Sequence, residues 1–89
     1  MPLSSIQKKQ VIKEYQTADG DTGSPEVQIA LLTKRIDRLT EHLKDHHHDM
    51  HSRRGLLSMI AKRRRHINYL EEVDKKRSLV IEKKIGLKK

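Results

Sequence analysis

The stretch SPEVQIALLTKRIDRLTEHL, residues 24–43, decides the fold. Ser24 offers a hydroxyl to cap a helix, Pro25 has the fixed φ that suits the first helical position, and Glu26 puts negative charge at the positive end of the helix dipole. Beyond this start, Ile29, Leu32, Ile36, Leu39 and Leu43 recur at spacings of 3, 4, 3 and 4. At about 100° per residue they draw one continuous apolar stripe, which predicts a long amphipathic helix buried along one side.

Downstream, the run Asp45 to Asp49 is polar and histidine-rich and interrupts the stripe. Asp49 suits the cap of a third helix beginning near Met50, whose buried side is marked by Leu56, Ile60, Ile67 and Leu70. The two long helices then form an antiparallel hairpin. Gly55 is placed to let another helix or a ligand approach closely. Asp74 can cap a fourth helix with Leu79, Val80 and Ile81 as its apolar residues. Gly86 sits where a helix ends, and Leu87 where a hydrophobic contact closes that end. Upstream, Thr17 to Ser24 has loop composition, and Ser4 or Ser5 can cap a short helix to about Tyr15, weakly apolar through Ile6, Val11 and Ile12 and so loosely docked. No alternating strand pattern competes. The expected fold is all-α, four helices in one domain over residues 1–89, since 34% hydrophobic content in so short a chain cannot fill two cores.

The net charge is +8, and its distribution says more than its size. Residues 50–89 hold thirteen Lys and Arg against four Asp and Glu, whereas residues 1–49 hold seven against eight. A cationic surface confined to half of a compact domain is the footprint of a polyanion binder, because neutralising phosphates releases condensed counterions. The absence of cysteine excludes disulfides, thiolate metal sites and cysteine catalysis. The longest apolar run, Ile29 to Leu32, is far below the roughly 18 residues of a membrane span, and the first residues lack a targeting core. A cytoplasmic protein without membrane contact is expected.

Helical geometry sorts the candidate contacts. The basic run Lys62 to Arg65 sprays around its helix, so its members cannot all meet one ligand. Arg54 and Arg65 differ by only about 20° in direction, and Tyr69 follows one turn after Arg65. These three read either as phosphate and sugar contacts or as a solvated basic face with Tyr69 in a groove. Gln28, Arg35 and His42 form a row at seven-residue spacing beside the apolar stripe, facing a ligand groove or in part the first helix. His42, His46, His47, His48, His51 and His66 suggest a metal, but without cysteine or a His-Glu-x-x-His arrangement the pattern is poor, and no metal or cofactor is expected. No nucleophile is matched to a base, so no enzyme is expected. Two tyrosines cannot build a stacking platform for single strands, which favours recognition of duplex or junction shape. In a shallow minor groove guanine presents an amino donor that Asp49 or Ser52 could accept; capping alone is the other reading of Asp49. A DNA-binding helical protein is the chief rival.

The combination Thr22-Gly23-Ser24-Pro25-Glu26-Val27-Gln28, His42-Leu43-Lys44, Asp49, His51-Ser52-Arg53-Arg54-Gly55-Leu56 and Lys62-Arg63-Arg64 resembles the bacterial family of small-subunit ribosomal protein fifteen over essentially the whole chain. The resemblance implies three helices in an antiparallel bundle plus a short mobile N-terminal helix, monomeric when free. It implies a structural constituent of the small ribosomal subunit that binds its rRNA at a three-way junction and an adjoining duplex of the central domain, and nucleates the platform beside neighbouring ribosomal proteins. It also implies a bridge to large-subunit rRNA, and some members repress translation of their own mRNA. By motif match Thr22, Gly23, Gln28, Arg35, Arg65 and Tyr69 fall at the junction, and His42, Asp49 and Ser52 at the duplex minor groove. His46, Arg53, Arg54 and Arg64 are candidates for further phosphate or bridge contacts. The chain departs from the family's usual pattern at Met50, His66-Ile67-Asn68 and Ser78, which bears on the packing of the third and fourth helices.

Overall fold

A computed structural model describes residues 4–16 and 23–86, and all regular structure among them is helical. The helices are α1 (Ser5–Tyr15), α2 (Pro25–Asp45), α3 (Met50–Val73) and α4 (Lys75–Ile85). Each begins on a side-chain cap that satisfies an otherwise orphaned backbone N–H. The Ser4 hydroxyl accepts from the Gln7 N–H at 3.2 Å while the Gln7 side chain accepts from the Ser4 N–H at 3.0 Å. Ser24 accepts from Val27 at 3.3 Å, and Asp49 from Ser52 at 3.0 Å. Asp74 serves two helices at once. Its N–H donates to the Leu70 carbonyl to close α3, and its carboxylate accepts from the Arg77 N–H to open α4. Gly86 ends α4 at φ 80°, in the left-handed region that favours glycine. The contact expected of Leu87 lies outside the described residues.

α2 is the central element, touching the other three helices. Its predicted stripe is buried from Ile29 to Leu39, with Leu43 half-buried near the end. Towards α3 the pairing is antiparallel: His42 meets Asp49, Leu39 lies against Gly55, and Thr33 meets Arg63. Position falls on α2 as it rises on α3. A Cβ on Gly55 would meet the Leu39 side chain at 3.7 Å, an ordinary contact, so the close approach expected there does not demand glycine. After Asp74 the chain turns back, and Ile81 joins Ile29, Ile67 and Leu70 in a cluster common to α2, α3 and α4.

A second apolar face of α2, made by Val27, Ala30 and Leu31, receives Val11 of α1, with Ile12 and Tyr15 at its edge. α1 is thus docked on α2. Lys84 of α4 reinforces it, its ammonium lying 4.9 Å from the centre of the Tyr15 ring and donating to the Glu14 carbonyl at 3.2 Å. Burial, and secondarily the charge of Glu14, push the Tyr15 phenol above its ordinary value. Glu26, placed by sequence as a dipole partner, is buried and accepts from Arg77, whose Nη2 donates to Oε1 at 2.6 Å and whose Nε donates to Oε2. On α4 only Ile81 of the three expected apolar residues is buried; Leu79 and Val80 are 52% and 61% exposed. Three consecutive residues cannot share a face, and the inner side of α4 is instead Ser78, Ile81 and Glu82. Ser78 donates to the Glu82 carboxylate at 3.1 Å, which satisfies a hydroxyl that would otherwise be buried unpaired. Among the described residues no helix is long and apolar enough to cross a membrane.

Candidate nucleic-acid interface

At the far end of the hairpin the turn between α2 and α3 is tied by backbone bonds from His46 to the His42 carbonyl and from Asp49 to the His46 carbonyl. This places three of the predicted residues together. The Asp49 carboxylate receives the Ser52 N–H on Oδ1 at 3.0 Å and the Ser52 hydroxyl on Oδ2 at 2.6 Å. His42 Nε2 lies 3.2 Å from the same Oδ2. The hydroxyl and N–H of Ser52, and then His42, hold the Asp49 carboxyl far below the usual carboxylate range. Asp49 is therefore an acceptor at every physiological pH. Oδ1 carries one internal bond and keeps a lone pair, and Ser52 keeps acceptor capacity on its oxygen. The side chains of His42 and Asp49 are 23% and 36% exposed, enough to reach a ligand without rearrangement. The cap at Asp49 therefore leaves acceptor capacity for a further partner.

The rest of the turn supports this arrangement. Arg53 Nε donates to the His47 carbonyl at 2.9 Å, a constraint that sequence reading missed because it depends on the turn's path. The rings of His42 and His46 lie 4.6 Å apart and those of His47 and His48 4.0 Å apart, around an open recess also lined by Asp45 and Asp49. Among the described residues no group of three or more His, Cys, Asp or Glu is arranged to hold a metal ion.

The other predicted residues are not gathered in this way. Gln28 and Arg35 are half-buried on the His42 row, between the α2 face that meets α1 and the face that meets α3. Gln28 lies 14 residues before His42, about 21 Å along the helix. Arg65 and Tyr69 are exposed on α3, turned away from α2. Among the described residues Arg35, Arg65 and Tyr69 form no hydrogen bond or ion pair with one another or with any other side chain. Gly23 is exposed just before the α2 cap, and Thr22 lies outside the described residues. The basic run divides as its spacing requires. Arg63 turns inward and donates to Thr33 Oγ1 at 3.2 Å, while Lys62, Arg64 and Arg65 stay exposed. His46, Arg53 and Arg54 are exposed around the turn and first turns of α3.

Fold and charge together give a small helical protein with exposed cations on α3 and α4 and a cluster of acceptors at the turn between α2 and α3, the features of a class of compact nucleic-acid binders. Comparison with known proteins narrows the class. Residues 8–88 match the family described as Ribosomal protein S15. The chain is 54% identical to the small ribosomal subunit protein uS15 of Micrococcus luteus, with both chains covered end to end. It is 53% identical to that of a Parafrankia species and 52% identical to that of Frankia alni, again over the full length of both. The chain belongs to the ribosomal protein S15 family.

Proposed function

We propose that this chain holds two sites on small-subunit rRNA at once, a three-way junction and an adjoining duplex, and so fixes their relative placement during assembly. Membership of the S15 family makes it a structural, non-enzymatic constituent of the small ribosomal subunit, working in translation among rRNA and other ribosomal proteins. The observation that carries the finer reading is the His42–Asp49–Ser52 cluster. An ionised, hydrogen-bonded carboxylate beside a hydroxyl, half-exposed and flanked by cations, suits the amino group of guanine in a shallow minor groove. Farther along α2, Arg35 about 10 Å and Gln28 about 21 Å from His42, with Gly23 before them, Arg65 and Tyr69 on α3, and Thr22 by motif match, make the second contact region in this reading. Their dispersion suits a junction, where backbones arrive from several directions. His46, Arg53, Arg54 and Arg64 lie outside both sets, and in this reading they meet further phosphates, including large-subunit rRNA across the subunit interface. Regulation of the chain's own mRNA would use the same two regions on an RNA of similar shape.

The test is affinity for a minimal three-way junction from the central domain of small-subunit rRNA against the same RNA closed into a continuous duplex, at physiological salt. A strong preference for the open junction is expected. Equal affinity would reduce the protein to a charge-driven polyanion binder.

A further inference from the structure

The turn that carries Asp49 is not closed by backbone bonds alone. The His46 N–H donates to the His42 carbonyl to end α2, and the Asp49 N–H donates to the His46 carbonyl. The His47 carbonyl, between those ties, receives no backbone N–H among the described residues. Its donor is Arg53 Nε, at 2.9 Å. Arg53 also closes the first turn of α3, its own N–H donating to the Asp49 carbonyl at 3.1 Å. One residue of the helix thus grips the chain on both sides of His48.

The way the chain enters α3 gives this grip its importance. Ser4 and Ser24 cap their helices with extended backbone, at ψ 162° and 155°. Asp49 caps α3 at ψ 88°. Rotation about that bond swings the incoming chain, and with it the Asp49 side chain, relative to the helix that supplies Ser52. A bond from the helix to His47, on the incoming side, opposes the rotation. The bonds from Ser52 and His42 hold the carboxylate once the chain is in place, and Arg53 holds the chain. Hydrogen bonds weaken steeply as they bend, so a recognition group works only when its supports fix it to within about 10–20°. We propose that Arg53 is a positioning residue for base recognition: by holding the His47 carbonyl it sets the direction in which Asp49 offers its remaining lone pair, and so the preference for the guanine amino group. This rests on the reading of Asp49 as a guanine acceptor. It is compatible with a phosphate contact, because the bond to His47 uses Nε and leaves the terminal guanidinium N–H groups and the positive charge to an RNA backbone.

Two substitutions separate charge from geometry. Glutamine carries its amide nitrogen at the place of Nε in the side chain, so Arg53→Gln keeps a donor for the carbonyl and removes the charge. Lysine has a methylene there, so Arg53→Lys keeps the charge and displaces the donor. The full chain is titrated with the minimal junction RNA whose duplex arm carries guanine, and with the same RNA carrying inosine, which lacks only the amino group. The native chain should prefer guanine by roughly tenfold. Arg53→Lys should cut that preference on the order of threefold or more. Arg53→Gln should keep it while binding both RNAs more weakly alike. A preference retained in Arg53→Lys, or lost equally in both variants, would overturn the proposal. A second readout needs no RNA: the carboxyl carbon resonance of Asp49 in the free protein should move in Arg53→Lys and stay in place in Arg53→Gln. If the native chain does not prefer guanine while the resonance follows that pattern, readout by Asp49 fails and the hold of Arg53 on the turn stands. If the native chain and Arg53→Lys prefer guanine equally, the readout stands and the positioning role falls.

Discussion

The two ends of α2 are built differently. At the N-terminal end Val27, Ile29, Ala30, Leu70 and Ile81 are almost wholly removed from water, and the buried Glu26 is clasped by Arg77. At the C-terminal end Leu43 and Leu56 are only half-buried, and order comes from a cluster of surface polar groups, His42, Asp49 and Ser52, bonded to one another. Apolar burial dominates folding free energy, whereas hydrogen bonds made in contact with water contribute little net stability but fix direction. One end of the helix therefore carries the fold and the other carries prepared geometry. Lesions of folding and lesions of binding should separate along a single helix.

The largest effect tests the first half of that statement. Ile29→Ala empties a fully buried site shared by three helices and should destabilise by about 2–5 kcal/mol, a large share of the total for so small a domain. Leu43→Ala, at the half-exposed end, should cost less than half as much by urea unfolding. Equal losses would break the comparison. Next in size is Glu26→Ala, which removes the clasp from Arg77 and leaves a buried gap. Because the Arg77 side chain is 40% exposed and water can reach it, the expected loss is about 1–3 kcal/mol, read from thermal unfolding. Adding Arg77→Ala should restore part of it.

The apolar end was largely legible in sequence, and for a physical reason. A stripe at 3, 4, 3, 4 spacing and caps at Ser4, Ser24, Asp49 and Asp74 are local signals, and local signals survive without knowledge of the partner helix. What escaped depends on long-range approach. Arg77 finds Glu26 51 positions away, and nothing in the spacing of either announces it. Val80 looks as apolar as Ile81 but lies about 100° from it, and only the location of α2 and α3 decides which is buried. At the turn, the residue types at 42, 49 and 52 were readable as acceptors and donors. That they close on one carboxylate depends on the path of residues 46–49.

At the turn end the expected effects fall on recognition. Ser52→Ala removes one donor to Asp49 and the hydroxyl itself, and should reduce discrimination in favour of a guanine-bearing duplex by roughly tenfold, with fold stability nearly unchanged. Asp49→Ala should lose the same discrimination, whereas Lys75→Ala should weaken all RNAs alike, each measured by competition titration. Equal loss on every RNA for Asp49→Ala would remove the readout role. A pH series sharpens the same point. The Asp49 carboxyl is depressed in the folded state, so its contribution to stability is present above the ordinary carboxylate range and is lost as pH falls below about 4 towards the folded value. The stability difference between the native chain and Asp49→Asn should shrink as pH falls below about 4.

The smallest expected effect asks what keeps α1 on the apolar end. Two devices are present: Val11 in the face made by Val27, Ala30 and Leu31, and the Lys84 ammonium over Tyr15. If burial is decisive, Lys84→Ala should cost only about 0.5–1 kcal/mol, the worth of an exposed cation–π contact, and α1 should remain docked. The Tyr15 phenol distinguishes the two, because its elevation comes first from burial. Removing a nearby cation by itself makes phenolate less favourable and moves the phenol further up, whereas undocking exposes the ring and moves it back down towards 10.0. Spectroscopic titration of Tyr15 in Lys84→Ala, carried out in a Tyr69→Phe background to leave one phenol, should therefore show a value at or above the native one. A fall would show that a surface cation rather than apolar packing holds the helix, and the contrast between the two ends of α2 would not extend to α1.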